Sequence, residues 1–75
     1  MNLKDVKKEL NHVVYYDTGQ LNIGGSSLRD FILSACILRR DKKKHFYYQA
    51  ELQDTVCKRS VMIVPLEKVL SRDEV

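Results

Sequence analysis

The clearest pattern of hydrophobic and polar positions lies in the stretch HFYYQAELQ, which runs from residue 45 to residue 53. One set of alternate positions is mostly apolar and consists of Phe46, Tyr48, Ala50 and Leu52, while the positions between them are largely polar. A repeat of two residues matches the alternation of side chains along a β-strand that buries one face. We therefore predict a strand over residues 45–54 with the apolar set in the core.

The stretch SSLRDFILSACILRR, which ends at residue 40, fits two structures. Ser27 and Asp30 have the spacing of a capping box, which favours a helix from Leu28 onward. A helix, however, would place large aliphatic residues on the same face as charged ones. A strand gives two mostly apolar faces, as expected of the central strand of a curled or covered sheet. We predict a strand over residues 30–40 and keep the helix as the alternative.

Two shorter stretches, HVVYY and VMIV, are rich in β-branched or aromatic residues and predict strands over residues 12–17 and 60–64. Between the first two strands, GQLNIGGSS is typical of a mobile loop, with an isolated bridge or two as an option at residues 21–23. After the last strand, PLEKVL has Pro65 at a position suited to the first turn of a short helix. Residues 71–75 are expected to fray.

The N-terminal stretch NLKDVKKEL predicts a short helix, since Leu3, Val6 and Leu10 recur at helical spacing and Asn2 can cap it. A helix of this length is not stable alone in water, so its apolar stripe must pack on the sheet.

Together these elements predict one domain over residues 1–75, of α+β class and mainly β. We expect the short helix to pack on a small curled antiparallel sheet of about four strands, and the strand pattern resembles that of small SH3-type barrels. This likeness concerns architecture and implies no function. The predicted core consists of Phe31, Leu33, Ile37, Phe46, Tyr48, Leu52 and Ile63 together with Val6 and Leu10.

Charge changes this picture at one place. The chain carries +3 overall, and residues 39–45 contain five Lys or Arg against one Asp, a local charge of +4. The remaining residues therefore carry about −1 together, so the excess positive charge forms one patch.

Cysteine usage and the N-terminal stretch predict a cytoplasmic protein that does not enter a membrane. Cys36 and Cys57 form no C-x-x-C pair and lie in or beside apolar runs, which predicts free, partly buried thiols. With His12 and His45 they would supply four zinc ligands, but the spacing matches no structural zinc site. The chain shows neither a secretory leader at its start nor an apolar run of membrane-spanning length.

Catalysis is not indicated. Neither histidine lies in a recognised nucleophile motif, and NIGGSS lacks the Gly-Lys-Ser/Thr that allows a loop to hold phosphate. We predict a protein that is not an enzyme, with no catalytic residue, cofactor, metal ion or small-molecule substrate.

The candidate binding surface combines the basic patch with a neighbouring aromatic residue, and consists of Arg39, Arg40, Lys42, Lys43, Lys44, His45 and Tyr47. Cations and exposed aromatics are what nucleic-acid binding needs. No nucleic-acid-binding motif accompanies them, however, and Glu51 falls on the same strand face as Tyr47. The lysines also have a purely structural interpretation as the polar connection of a β-hairpin.

Protein contacts are the competing interpretation. The four tyrosines exceed what so small a core needs, and tyrosine is frequent at protein interfaces. We predict a small binding or accessory protein that acts through protein–protein contacts, self-association included. Nucleic-acid binding through the 39–45 segment and Tyr47 is the alternative.

Overall fold

The computed structural model describes residues 1–19 and 27–75, and within them the chain forms a short helix and a four-stranded antiparallel sheet. The helix is α1 (Leu3–Glu9), and the strands, which are adjacent in chain order, are β1 (Val13–Asp17), β2 (Leu28–Arg40), β3 (Phe46–Asp54) and β4 (Val61–Pro65). Two 3-10 helices follow, Leu66–Lys68 and Arg72–Glu74. The predicted α+β, mainly β class is confirmed. Residues 20–26 of the predicted loop, with the optional bridges, lie outside the described residues.

Helix α1 starts where the sequence predicts. The Asn2 side chain accepts a hydrogen bond of 2.9 Å from the backbone N–H of Asp5 and so caps the helix. Of the predicted apolar stripe only Val6 is buried, whereas Leu3 and Leu10 are exposed. The prediction that Leu10 belongs to the core is therefore wrong, because α1 spans only seven residues and buries one position. In the part of the chain that the structure describes, no helix is long and apolar enough to cross a membrane.

The choice of a strand for β2 is confirmed. Ser27 does not cap a helix, since its carbonyl accepts the Thr18 N–H at 3.1 Å, next to the β1–β2 pairing. Periodicity therefore prevails over the local capping signal, because a strand buries apolar side chains that a helix would leave beside charges.

A bulge in β2 decides which of its residues reach the core. The β2–β3 register shifts between Leu33 and Ala35, which leaves Ser34 as the extra residue. The Ser34 hydroxyl donates to the carbonyl and to the carboxylate of Glu51, at 3.1 and 2.9 Å. Beyond the bulge the inward position passes to Cys36, which packs against the core, and Ile37 lies on the outer face. Ile37 was thus wrongly predicted as a core residue.

The core contains four of the predicted residues, Val6, Phe31, Leu33 and Leu52, and five others, Val14, Ala50, Val64, Leu66 and Val69. In β4 the inward residues are Met62 and Val64, so Ile63 is exposed. The prediction that Ile63 belongs to the core is therefore wrong. Phe46 and Tyr48 are exposed too, although they lie on the inward face of β3. They extend past the ends of β1 and β4, where no described strand covers them.

The C-terminal segment closes the sheet. Leu66 and Val69 are buried, and Leu70 exchanges two backbone hydrogen bonds of 2.8 Å with Tyr15. This bridge joins the chain after β4 to the outer edge of β1, so the sheet curls into a small barrel-like arrangement. Pro65 is the last residue of β4, and the predicted helical turn after it is a 3-10 helix. Fraying of residues 71–75 stays a prediction.

Both cysteines are free thiols, but only one is partly buried. Burial raises the pKa of the Cys36 thiol, which keeps it protonated and a poor nucleophile. Cys57 is exposed in the β3–β4 connection, so the prediction that it is partly buried is wrong.

Asp54 organises the β3–β4 connection. Its Oδ1 accepts hydrogen bonds from the backbone N–H groups of Cys57 and Val56, at 3.0 and 2.7 Å. These two bonds, with a smaller contribution from Arg29 at 3.8 Å, hold the pKa of Asp54 below its ordinary value. The ionised form is therefore stabilised by folding.

The core assignment predicts that substitutions at two residues of the same strand face change the free energy of unfolding by very different amounts. Leu52→Ala should lower the free energy of unfolding by about 2–5 kcal/mol, because Leu52 is 0% exposed and a cavity would remain. Phe46→Ala should change it by less than about 0.5 kcal/mol, because Phe46 is 67% exposed. Urea unfolding of both variants measures the contrast, and equal losses would contradict this core.

The lowered pKa of Asp54 predicts that part of the free energy of unfolding is lost in acid. Its pKa lies below 3.8 in the folded protein, so the stabilisation is fully present above pH 3.8 and is lost as the pH falls through the lowered pKa. Asp54→Asn can accept the same hydrogen bonds without titrating. Its unfolding midpoint in urea should therefore fall less steeply than that of wild type below pH 3.8. Identical pH profiles would contradict the assignment.

Candidate functional site: the hairpin arm

The predicted binding surface lies on a two-stranded extension of the sheet. Strand β1 pairs with β2 only over Leu28–Ile32, and β4 pairs with β3 only over Gln49–Gln53. Over residues 38–48 the two strands have no neighbouring strand among the described residues, and every residue there is exposed. We call residues 38–48 the hairpin arm. A two-stranded ribbon is only marginally stable in water, so the arm depends on the sheet that anchors it.

Asp41 shapes the tip of the arm. Its backbone N–H donates to the His45 carbonyl at 2.9 Å, and its carbonyl accepts the Lys44 N–H at 3.0 Å. Its carboxylate accepts the N–H groups of Lys43 and His45, at 2.8 and 2.9 Å. Lys44 has a φ of 67°, the left-handed conformation that usually selects Gly in such a connection. The single acidic residue of the arm is thus engaged by the turn itself.

Two of the predicted site residues lie directly opposite each other on the outer face. Arg39 pairs across the ribbon with Tyr47, and its Nε also donates to the side chain of Gln49. Glu51 follows on the same face, as the sequence indicated, and its carboxylate accepts the Ser34 hydroxyl. The remaining predicted residues, Arg40, Lys42, Lys43, Lys44 and His45, lie at or next to the tip and are all exposed.

Sequence reasoning missed the inward face of the arm. Leu38 pairs with Tyr48, and Arg40 pairs with Phe46, so an apolar pair lies next to a cation–aromatic pair. Phe46 is 67% exposed and Leu38 is 55% exposed, although the alternation pattern assigned Phe46 to the core. The signal that identifies them is length, because the apolar stretches HVVYY and VMIV are much shorter than the strands between them.

A groove of about 540 Å³ adjoins the base of the arm. Three segments line it: residues 1–3 at the start of α1, residues 47–49 of β3, and residues 65–67 at the end of β4 and the start of the 3-10 helix. The apolar contributions come from Met1, Leu3, Tyr48, Pro65 and Leu66. Glu67 adds one carboxylate, and the N-terminal ammonium of Met1 donates to the Leu66 carbonyl at 3.3 Å. The arm therefore combines exposed apolar residues, a neighbouring concave surface and a cluster of cations.

Metal ligation has no matching geometry over residues 1–19 and 27–75. No three His, Cys, Asp or Glu side chains there are grouped so that they could hold a metal ion. His45 is highly exposed, with its Nδ1 3.8 Å from the Asp41 carboxylate, and His12 is exposed at the start of β1.

No family model, curated protein or solved structure matches this chain. Its function is therefore inferred from the arm and the groove. These two features adjoin each other through Tyr47 and Tyr48, which belong to both.

The left-handed backbone conformation of Lys44 predicts that a glycine at this position stabilises the arm. Lys44→Gly should slow hydrogen exchange of the arm amides severalfold, because Gly adopts this conformation without the cost of about 1–2 kcal/mol that a Cβ imposes. Lys42→Gly removes the same charge at a position whose φ is not positive, and should speed the exchange. Equal effects of the two variants would contradict the turn geometry.

Proposed function

We propose that this protein is a small, non-enzymatic binding module that works in the cytoplasm and contacts a protein partner through the hairpin arm. The observation that carries the proposal is the composition of the arm, in which Leu38, Phe46 and Tyr48 are exposed among five Lys or Arg residues. Burying exposed aromatic and aliphatic side chains is a main driving force of protein association. A partner that covers the arm would also stabilise a ribbon that has no strand on either side among the described residues.

The shape of the site favours a protein over a nucleic acid. Leu38 is aliphatic and offers no ring on which a base can stack. The groove beside Tyr48 is concave and has Pro65 and Leu66 in its lining, as expected of a pocket that receives an apolar side chain. The local charge of +4 indicates a partner with an acidic surface, which would be steered to the arm by electrostatic attraction.

Self-association fits a different surface. Two arms would bring equal positive charges together, which opposes contact between them. The outer face of β4 instead exposes Val61 and Ile63 without adjacent charges of their own strand. A dimer of this protein would therefore form through β4 and leave the arm accessible.

Nucleic-acid binding is supported by one specific arrangement. Arg39 lies opposite Tyr47 on the outer face, and Lys42, Lys43 and Lys44 extend from the tip. A strand of nucleic acid could place a base on the tyrosine and phosphates along the cations.

A salt titration distinguishes the two partner classes. We expect wild type to bind mixed single- and double-stranded oligonucleotides only weakly, and neutralising Arg39, Arg40, Lys42, Lys43 and Lys44 with Gln should change this little. The matched control neutralises five exposed lysines outside the arm, Lys4, Lys7, Lys8, Lys58 and Lys68. Tight binding with a log–log salt slope near −3 to −4, which flattens only in the arm variant, would favour nucleic acid instead.

A photo-crosslinking residue at position 46 tests for the protein partner directly. In cells that express the protein, adducts with another protein should form from position 46. They should not form from position 56 in the β3–β4 connection, where Val56 is 92% exposed and serves as the control. Equal labelling from both positions would contradict an arm-directed contact.

A further inference from the structure

The arm has an open edge on the side of β4. Asp54 donates its N–H to Ser60 at 2.9 Å, so the even-numbered residues of β3 direct their backbone groups toward β4. Backbone groups along a strand point alternately to its two sides. The N–H and C=O groups of Phe46 and Tyr48 therefore also point to the β4 side. The β3–β4 pairing ends at Gln49 and Pro65, and the chain then enters the 3-10 helix at Leu66. Within the described ranges, no strand continues along Phe46 and Tyr48.

The groove lies along this open edge. Its lining includes residues 47–49 on the β3 side and residues 65–67 where β4 ends. It therefore lies where a longer β4 would have continued. Leu3 and Leu66 contribute apolar surface at the same place. An unpaired edge beside an apolar groove has the geometry of sites that bind extended peptides as an added strand.

We propose that an extended acidic segment of a partner protein adds as a strand to the Phe46–Tyr48 edge and places an apolar side chain in the groove. This inference rests on the proposed function and specifies how the partner binds. Main-chain hydrogen bonds to the two edge residues would hold the segment, and the groove would select one side chain.

Charge complementarity identifies the segment as acidic. The edge runs toward a tip that carries Lys42, Lys43 and Lys44, and Arg40 lies opposite Phe46. At the other end of the groove the formal charges of the Glu67 carboxylate and the Met1 ammonium, which donates to the Leu66 carbonyl at 3.3 Å, cancel. The partner's carboxylates should therefore lie toward the tip and its apolar side chain toward Leu66. A second copy of the arm does not fit this edge, because its own charge is positive.

The test uses a pool of synthetic peptides, each about seven residues long, that alternate apolar residues with Glu. A matched pool carries Lys in place of Glu. Binding to the full chain is followed by NMR, which reports the amides of Phe46 and Tyr48 separately from those of the tip. We expect the Glu pool to bind, the Lys pool not to bind, and the amides of Phe46 and Tyr48 to become protected from hydrogen exchange.

Proline variants test whether the edge N–H of Phe46 contributes to peptide binding. Phe46 and Leu38 both lie at positions that exchange no hydrogen bonds across the ribbon, because Asp41 and His45 form the adjacent bonded pair. Phe46→Pro therefore removes an N–H on the β4 side, whereas Leu38→Pro removes one on the opposite edge. Relative to Phe46→Ala, Phe46→Pro should weaken peptide binding about tenfold or more. Leu38→Pro should match Leu38→Ala within about threefold.

Several outcomes would overturn the inference: no binding of the Glu pool, shifts confined to Lys42–Lys44, equal affinities of Phe46→Pro and Phe46→Ala, or tighter binding of an oligonucleotide. NMR spectra of each variant without peptide establish that the arm is intact. If protein adducts form from position 46 but the peptides protect neither edge amide, strand addition is wrong and the proposed function stands. If no such adducts form, both are wrong.

Discussion

The organising constraint in this protein is a mismatch in strand length. Strands β2 and β3 span thirteen and nine residues, whereas β1 and β4 span five each. A sheet buries side chains only where neighbouring strands and the segments that follow them can cover its inward face. The core therefore occupies the part of the central hairpin that β1 flanks on one side or β4 flanks on the other, and the rest of the hairpin extends into solvent as the arm.

Within the flanked part of the hairpin, the small core depends on closure by the C-terminal segment. Leu66 and Val69 fill the inward side, and the Tyr15–Leu70 bridge holds that segment against β1. A domain of this size buries a modest share of its surface, so each buried residue contributes a large fraction of the stability. The bulge at Ser34 shifts the register of β2, so that Cys36, rather than Ile37, faces inward.

The arm has the opposite character. Its tip is shaped by hydrogen bonds to Asp41, which leaves the lysines exposed and the local charge positive. Charge of this kind hinders edge-to-edge pairing between copies of the same chain. In the proposed function it would also attract an acidic partner. The same residues would thus hinder pairing along an open edge and favour the proposed class of ligand.

The sequence by itself determined the elements. Alternation predicted two strands, and β-branched or aromatic content predicted the other two, all to within two residues of their ends. Alternation also outweighed the Ser27–Asp30 capping signal, because side-chain periodicity reflects burial along the whole element. The basic patch and Tyr47 were also identifiable, since charge and exposure of a hairpin connection follow from local composition. Tertiary structure alone decided which inward positions are covered. Phe46, Tyr48 and Leu52 share one face of β3, yet only Leu52 is buried, because coverage depends on where the neighbouring strands end. The bulge at Ser34 and the groove beside Tyr48 likewise arise from pairing between distant segments, which no local pattern encodes.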